Sequence, residues 1–210
     1  MVARDAALMT LVRAIVADDA ATASRLLAAA GSLASAQAGE GATRGAAADY
    51  YLAEIGHYLY AGDTALHIAA AAYRLPFARE LITRGADVGA RNRRGAEPLH
   101  YAADGSPGSP HWNPGAQAAT VTCLIQAGAD PNATDKSGVT PLHRAVRTRS
   151  AAAVQALLEG GADAGRQNKT GSTPMQLATW TTGRGGSGSP ESKAQQEEIV
   201  RLLHRQGATR

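Results

Sequence analysis

Apolar positions along the chain come in paired short blocks. One kind opens on Ala65-Leu66, Pro98-Leu99, Pro141-Leu142 or Pro174-Met175; the other closes on Leu81-Ile82, Leu124-Ile125, Leu157-Leu158 or Leu203. Polar and turn-forming residues separate them, so each pair predicts two short helices joined by a turn. The first block is announced by one phrase, four times: Gly62-Asp-Thr-Ala-Leu-His67, Gly95-Ala-Glu-Pro-Leu-His100, Gly138-Val-Thr-Pro-Leu-His143 and Gly171-Ser-Thr-Pro-Met-Gln176. The second block ends in another: Leu81-Ile-Thr-Arg-Gly-Ala-Asp87, Leu124-Ile-Gln-Ala-Gly-Ala-Asp130, Leu157-Leu-Glu-Gly-Gly-Ala-Asp163 and the decayed Leu203-His-Arg-Gln-Gly-Ala208. The leading glycines lie 33, 43 and 33 residues apart, a period of 33 with one ten-residue insertion.

Each phrase has local physical content. Thr64, Thr140 and Thr173 suit the N-cap, and Pro98, Pro141 and Pro174 fall where the first helical residue stands. Glu97 replaces the threonine in one unit and predicts a weaker cap. Gly85, Gly128 and Gly161 suit a left-handed C-cap. The connecting Asn92-Arg-Arg-Gly95, Asp135-Lys-Ser-Gly138 and Asn168-Lys-Thr-Gly171 carry turn chemistry and predict tight fingers.

In order and spacing these phrases resemble the ankyrin repeat family, with its Gly-x-Thr-Pro-Leu-His and Leu-Leu-x-x-Gly-Ala-Asp consensus. The match is close over 62–208 and looser over 7–30, where Leu11-Val-Arg-Ala-Ile15 and Arg25-Leu-Leu27 look like a capping helix pair. The resemblance implies an all-α solenoid of about five helix-turn-helix units with short β-hairpin fingers and three loop insertions. Its divisions are a single domain over 1–210: an N-terminal cap at 1–30, an insertion at 31–61, repeats at 62–94, 95–137 and 138–170, and a C-terminal cap at 171–210. It further implies a concave face of fingers and first helices that binds a partner protein.

That face, read in phase, holds Tyr58, Tyr60 and Asp63; Arg91, Arg93, Arg94 and Tyr101; Thr134, Lys136, Arg144, Arg147 and Arg149; and Gln167, Lys169 and Trp180. It is basic in the middle with aromatics at both ends, which suits an acidic partner segment. The same arginines leave open a nucleic-acid or anion-binding reading.

Three insertions depart from the period. Gly31 to Gly45 is rich in Ala, Gly and Ser and reads as a flexible loop. After it, Tyr51, Ile55, Tyr58 and Leu59 have the spacing of an amphipathic helix, interrupted by Gly56. Asp104 to Gly115, with His111-Trp112, and Gly183 to Ser192 both fall between the two helices of a unit, at the end away from the fingers. Trp112 either plugs onto the array or meets a partner, and an enzyme-regulating role through these loops is a further alternative.

Composition narrows the picture. Apolar residues make up 44% of the 210 but aromatics only 4%, so the core is built from Ala, Leu, Val and Ile. Lys plus Arg number 21 against 18 Asp plus Glu, a formal +3, too mild for a general nucleic-acid footprint. The only cysteine, Cys123, excludes an internal disulfide and a cysteine metal cluster. The first thirty residues lack the unbroken apolar run of a signal peptide or membrane span. The expectation is a monomeric cytoplasmic protein that is not an enzyme and needs no cofactor or metal. His67, His100 and His143 recur one per repeat, and by the resemblance they are structural locks, too far apart to share a metal. Gly183-Arg-Gly-Gly-Ser-Gly188 fits a dinucleotide fingerprint in form only, because it follows a helix rather than a strand. Asp18-Asp19 reads as a helix-pair turn, and Glu197-Glu198 as a solvated helix face.

Overall fold

A computed structural model describes residues 2–105, 107, 112–180 and 189–207. Ten α-helices occur among them, in five antiparallel pairs: α1 (Val2–Val16) with α2 (Ala20–Ala29), α3 (Ala65–Ala71) with α4 (Leu75–Thr83), α5 (Pro98–Ala103) with α6 (Pro114–Gln126), α7 (Pro141–Arg147) with α8 (Ala151–Glu159), and α9 (Pro174–Thr179) with α10 (Pro190–Arg205). Helices α1, α3, α5, α7 and α9 pack side by side as one layer, and α4, α6, α8 and α10 as the second. The first-layer helices from α3 onward have only six or seven residues, too few to hold together alone, so packing stabilises them. All seven residues of α3 are buried, and its alanines let α1 and α5 approach from either side.

The caps follow the expected chemistry. Thr64, Thr140 and Thr173 accept the backbone N–H of His67, His143 and Gln176 at 3.4, 3.3 and 3.2 Å, while the side chains of those three residues accept the N–H of the cap residue in return. At Glu97 the return half of the arrangement is kept, with His100 Nδ1 accepting the Glu97 N–H at 3.1 Å. Asp19 caps α2 by accepting from Thr22, and those hydrogen bonds hold its carboxyl below the usual range.

Each histidine also reaches the next unit. The Nε2 atoms of His67, His100 and His143 lie 3.2, 3.0 and 3.0 Å from the carbonyls of Ala96, Val139 and Ser172. With Nδ1 accepting an N–H, the proton sits on Nε2 and donates across the repeat boundary. Burial disfavours the charged ring and holds all three below their ordinary value, His100 down to about 4.

The fingers are tight turns rather than β-hairpins. Asn92, Asp135 and Asn168 each close two backbone bonds across the turn, donating to Ala96, Val139 and Ser172 and accepting from Gly95, Gly138 and Gly171, and no strand forms there. Their side-chain oxygens take two further N–H groups each, which stiffens the turn without a ladder. Successive fingers are joined by Arg93 N–H to Ala61, Lys136 N–H to Arg94 and Lys169 N–H to Ser137, at 2.8, 2.9 and 3.1 Å.

The segment before the first finger corrects two expectations. It is neither a flexible loop nor an amphipathic helix. A 3₁₀ turn at Gly31–Ser35 buries Leu33 and Ala34. Ala38 then exchanges backbone bonds with Asp63 and Gly62, and Ala42 N–H donates to Leu59. Gly41 is needed there, because a Cβ would sit 2.3 Å from the Ala61 nitrogen. Residues 51–58 form a two-stranded hairpin, β1 (Tyr51–Leu52) against β2 (His57–Tyr58), with Tyr51 opposite Tyr58. Gly56, at φ +61°, closes its turn in a conformation no helix contains. The seven-residue spacing of Tyr51 and Tyr58 suits one helix face, but it equally places both on one face of a hairpin, with ring centroids 4.9 Å apart.

Candidate interaction surface

The hairpin lies over the first-layer helices rather than beside them. The His57 ring packs 4.5 Å from that of Tyr101 on α5, and its Nε2 is 3.8 Å from the Asp104 carboxylate. Beneath it, Tyr101 O–H donates to the buried Asp63 carboxylate at 2.8 Å. The Asn92 amide bonds to both groups, and Tyr60 N–H donates to the other Asp63 oxygen at 2.6 Å. Burial and the neighbouring Asp63 charge push the Tyr101 phenol well above its ordinary range. Tyr101 is therefore 1% exposed, which corrects its assignment to the open face. The polar side of a first helix becomes core wherever an insertion covers it.

Arg144 is corrected in the same way. Its guanidinium is held by Asp104 at 2.9 Å and Asp135 at 3.3 Å, with the side chain only 11% exposed. Its buried Nε finds no hydrogen-bond partner among the described residues. Burial opposes the charge on Arg144, but the two carboxylates outweigh it and raise the pKa. For Asp104 burial pushes upward, and the His57 imidazole and Arg144 overcome it to leave the carboxyl below the usual range.

The remaining expected residues divide into three places. Along the finger row, Arg93 donates to the Ala42 carbonyl, and Arg94 stacks 4.9 Å over the Tyr60 ring and donates to its hydroxyl at 3.0 Å. Lys136 and Lys169 follow, both exposed, and the exposed Tyr58 ring lies 6.4 Å from Tyr60. Arg91 sits apart, paired with Glu97 at 3.3 Å and donating to the Thr134 carbonyl.

At the other end of the first-layer helices, Arg147 and Trp180 border a groove of about 260 Å³ with Val146, Leu177 and Ile199. Trp180 is 69% exposed. Trp112 stands further along the same end, half-buried on the array with its indole N–H donating to Gln117 at 3.0 Å. Gln117 is buried, donates to the Ala102 and Asp104 carbonyls and accepts from Ser150 at 2.6 Å. A cleft of about 550 Å³ separates Trp112 from the tip of the hairpin, with Tyr73 and Arg74 on its floor. His111 and Gly183–Gly188 lie outside the described residues.

Sequence reasoning assigned no role to Asp104 and Gln117, gave Asn92 and Asp135 only their turn role and not their bonds to Asp63, Tyr101 and Arg144, and put Asp63 on the open face. One signal was available: Asp63 stands where the other phrases carry Ala96, Val139 and Ser172, and a carboxylate at a position that is apolar or small elsewhere needs a partner. Among the described residues no three His, Cys, Asp or Glu side chains converge as a metal site would require, and no helix is long and apolar enough to cross a membrane.

A family model described as Ankyrin repeat matches residues 61–93 and 94–136, and a second, Ankyrin repeats (many copies), matches 124–178. No curated protein matches the sequence. Together the two models span 61–178, more than half of the 210 residues, a stretch that holds α3 to α8 and most of α9. The chain belongs to the ankyrin repeat family, whose members are typically non-enzymatic protein-interaction modules.

Proposed function

We propose that this protein is an interaction module that binds an acidic protein partner along its finger row. One observation carries the reading. Arg93, Arg94, Lys136 and Lys169 are exposed on one continuous edge, and among the described residues none pairs with a carboxylate. Other arginines of the chain do find such partners, as Arg74, Arg84 and Arg144 do. Charges left unneutralised beside exposed aromatic rings favour encounter with an oppositely charged surface and fix its register. Tyr58 and Tyr60 supply amphipathic area for anchoring it.

The same reading makes the protein a monomer of a reducing compartment, in keeping with the unpaired thiol of Cys123. Reversing charge at Arg93, Arg94, Lys136 and Lys169 together abolishes partner capture, whereas Arg79→Glu on the exposed side of α4 leaves it intact. Equal capture by both variants overturns the proposal.

A further inference from the structure

The finger row constrains the form of its occupant as well as its charge. Over α3 and α5 the inward side is already filled by the chain's own hairpin, with His57 on Tyr101 and the Ala42 carbonyl taken by Arg93. A partner helix would have to displace that hairpin to reach the Tyr101 side of α5. What stays open is a narrow line from Tyr58 and Tyr60 past Arg94 to Lys136 and Lys169.

Along that line the cations are set in register. The backbone N–H of Arg93, Lys136 and Lys169 is each bonded to the preceding finger. The stems of Lys136 and Lys169 lie against Gly95 and Gly138, where an added Cβ would meet their Cγ atoms at 3.2 and 3.1 Å. At the in-register position one cation therefore stands in each finger, Arg93, Lys136 and Lys169, with Arg94 beside the first, at the ~8–10 Å separation of packed helices.

A polyproline II chain has three residues per turn and rises about 3.1 Å per residue, so side chains at every third position share a face and recur at about 9 Å. A β-strand repeats a face at about 6.6 Å and drifts out of phase with the row. We propose that the occupant is an extended, polyproline-like acidic segment with carboxylates at every third residue, its apolar end resting on Tyr58 and Tyr60. The inference rests on the acidic-partner reading and narrows it to a linear motif.

The test uses the whole chain and two labelled, proline-rich ten-residue peptides of identical composition. Each carries one terminal leucine and three glutamates, spaced at every third position in one and contiguous in the other. Fluorescence anisotropy at low and at physiological salt is the readout. Since an exposed ion pair contributes up to about fivefold in affinity, and the spaced peptide makes at least one pair that its isomer cannot, the spaced peptide binds up to about fivefold more tightly for each such pair. The double variant Lys136→Gln, Lys169→Gln, with an unchanged thermal melt, erases that preference.

Equal binding of the two isomers to the native chain overturns the linear-motif inference but leaves the acidic-partner reading standing. Binding of both peptides that is indifferent to charge reversal at Arg93, Arg94, Lys136 and Lys169 overturns both. Tighter binding of a ten-residue oligouridylate than of either peptide overturns both in favour of a polyanion site.

Discussion

The two halves of this array solve the same problem differently. From α7 onward, the 183–192 insertion aside, the units are regular: the polar groups of His143 and Asn168 are spent on backbone of their own or the next finger. In the half built on α3 and α5, the 31–61 segment folds over the inner layer. There polar side chains satisfy one another, through Asp63, Tyr101 and Asn92, and, at the boundary with α7, through Asp104, Arg144 and Asp135. A covered face needs a self-contained network because water no longer reaches it. The regular half leaves its surface to solvent; the covered half has been converted into core.

Breaking the network should show the contrast most sharply. Asp63→Ala strands the Tyr101 hydroxyl, the Asn92 amide and the Tyr60 N–H, and should cost about 3 kcal/mol in a urea titration. Val139→Ala, at a corresponding place in the regular half, should cost about 1 kcal/mol.

Acid should act next, and on both halves. Unfolded histidine takes a proton near pH 6.5, whereas folded His100 resists down to about 4, and His67 and His143 are lowered in the same sense. Stability is then intact above pH 6.5 and is lost as pH falls from there toward 4, because the unfolded chain binds the extra protons. About 2 kcal/mol should go between pH 7 and pH 5 for His100 alone. His100→Gln, which imitates the cap made by Gln176, should flatten the profile of melting temperature against pH.

Detaching the cover should come third. Gly41→Ala forces a methyl into the Ala61 backbone and should cost about 2 kcal/mol, with faster amide exchange at Ala38, Ala42 and Leu59. Gly45→Ala meets nothing within 4 Å and should be neutral to within about 0.5 kcal/mol. The smallest effect on stability belongs to the regular edge: Lys136→Ala with Lys169→Ala should shift unfolding by less than about 0.5 kcal/mol while weakening partner capture.

The regular half was legible because its determinants are local. A threonine cap, a proline after it, an Asx turn and a C-cap glycine each act within a few residues, and the sequence shows them in phase. The covered half was not, because its determinants are contacts at a distance. Tyr51, Ile55, Tyr58 and Leu59 satisfy a helical period by coincidence, and Gly56 was the residue that argued otherwise. Tyr101 and Arg144 occupy positions that face solvent in a plain repeat. Only the hairpin and Asp104, reached through an insertion, turn them inward. Tyr58, Tyr60, Arg93, Arg94, Lys136 and Lys169 come together because the fingers do, while Trp112 and Trp180 belong to the opposite edge.

That edge carries two indoles in unlike surroundings. Trp112 is fastened through Gln117 to α5 and to the Ser150 turn between α7 and α8, whereas Trp180 stands in solvent. The molecule thus contains two intrinsic fluorophores of distinct colour and quenching. With Trp180 replaced by Phe, the emission of the remaining indole becomes an optical gauge of the junction between the middle units, read apart from whatever the finger row is holding.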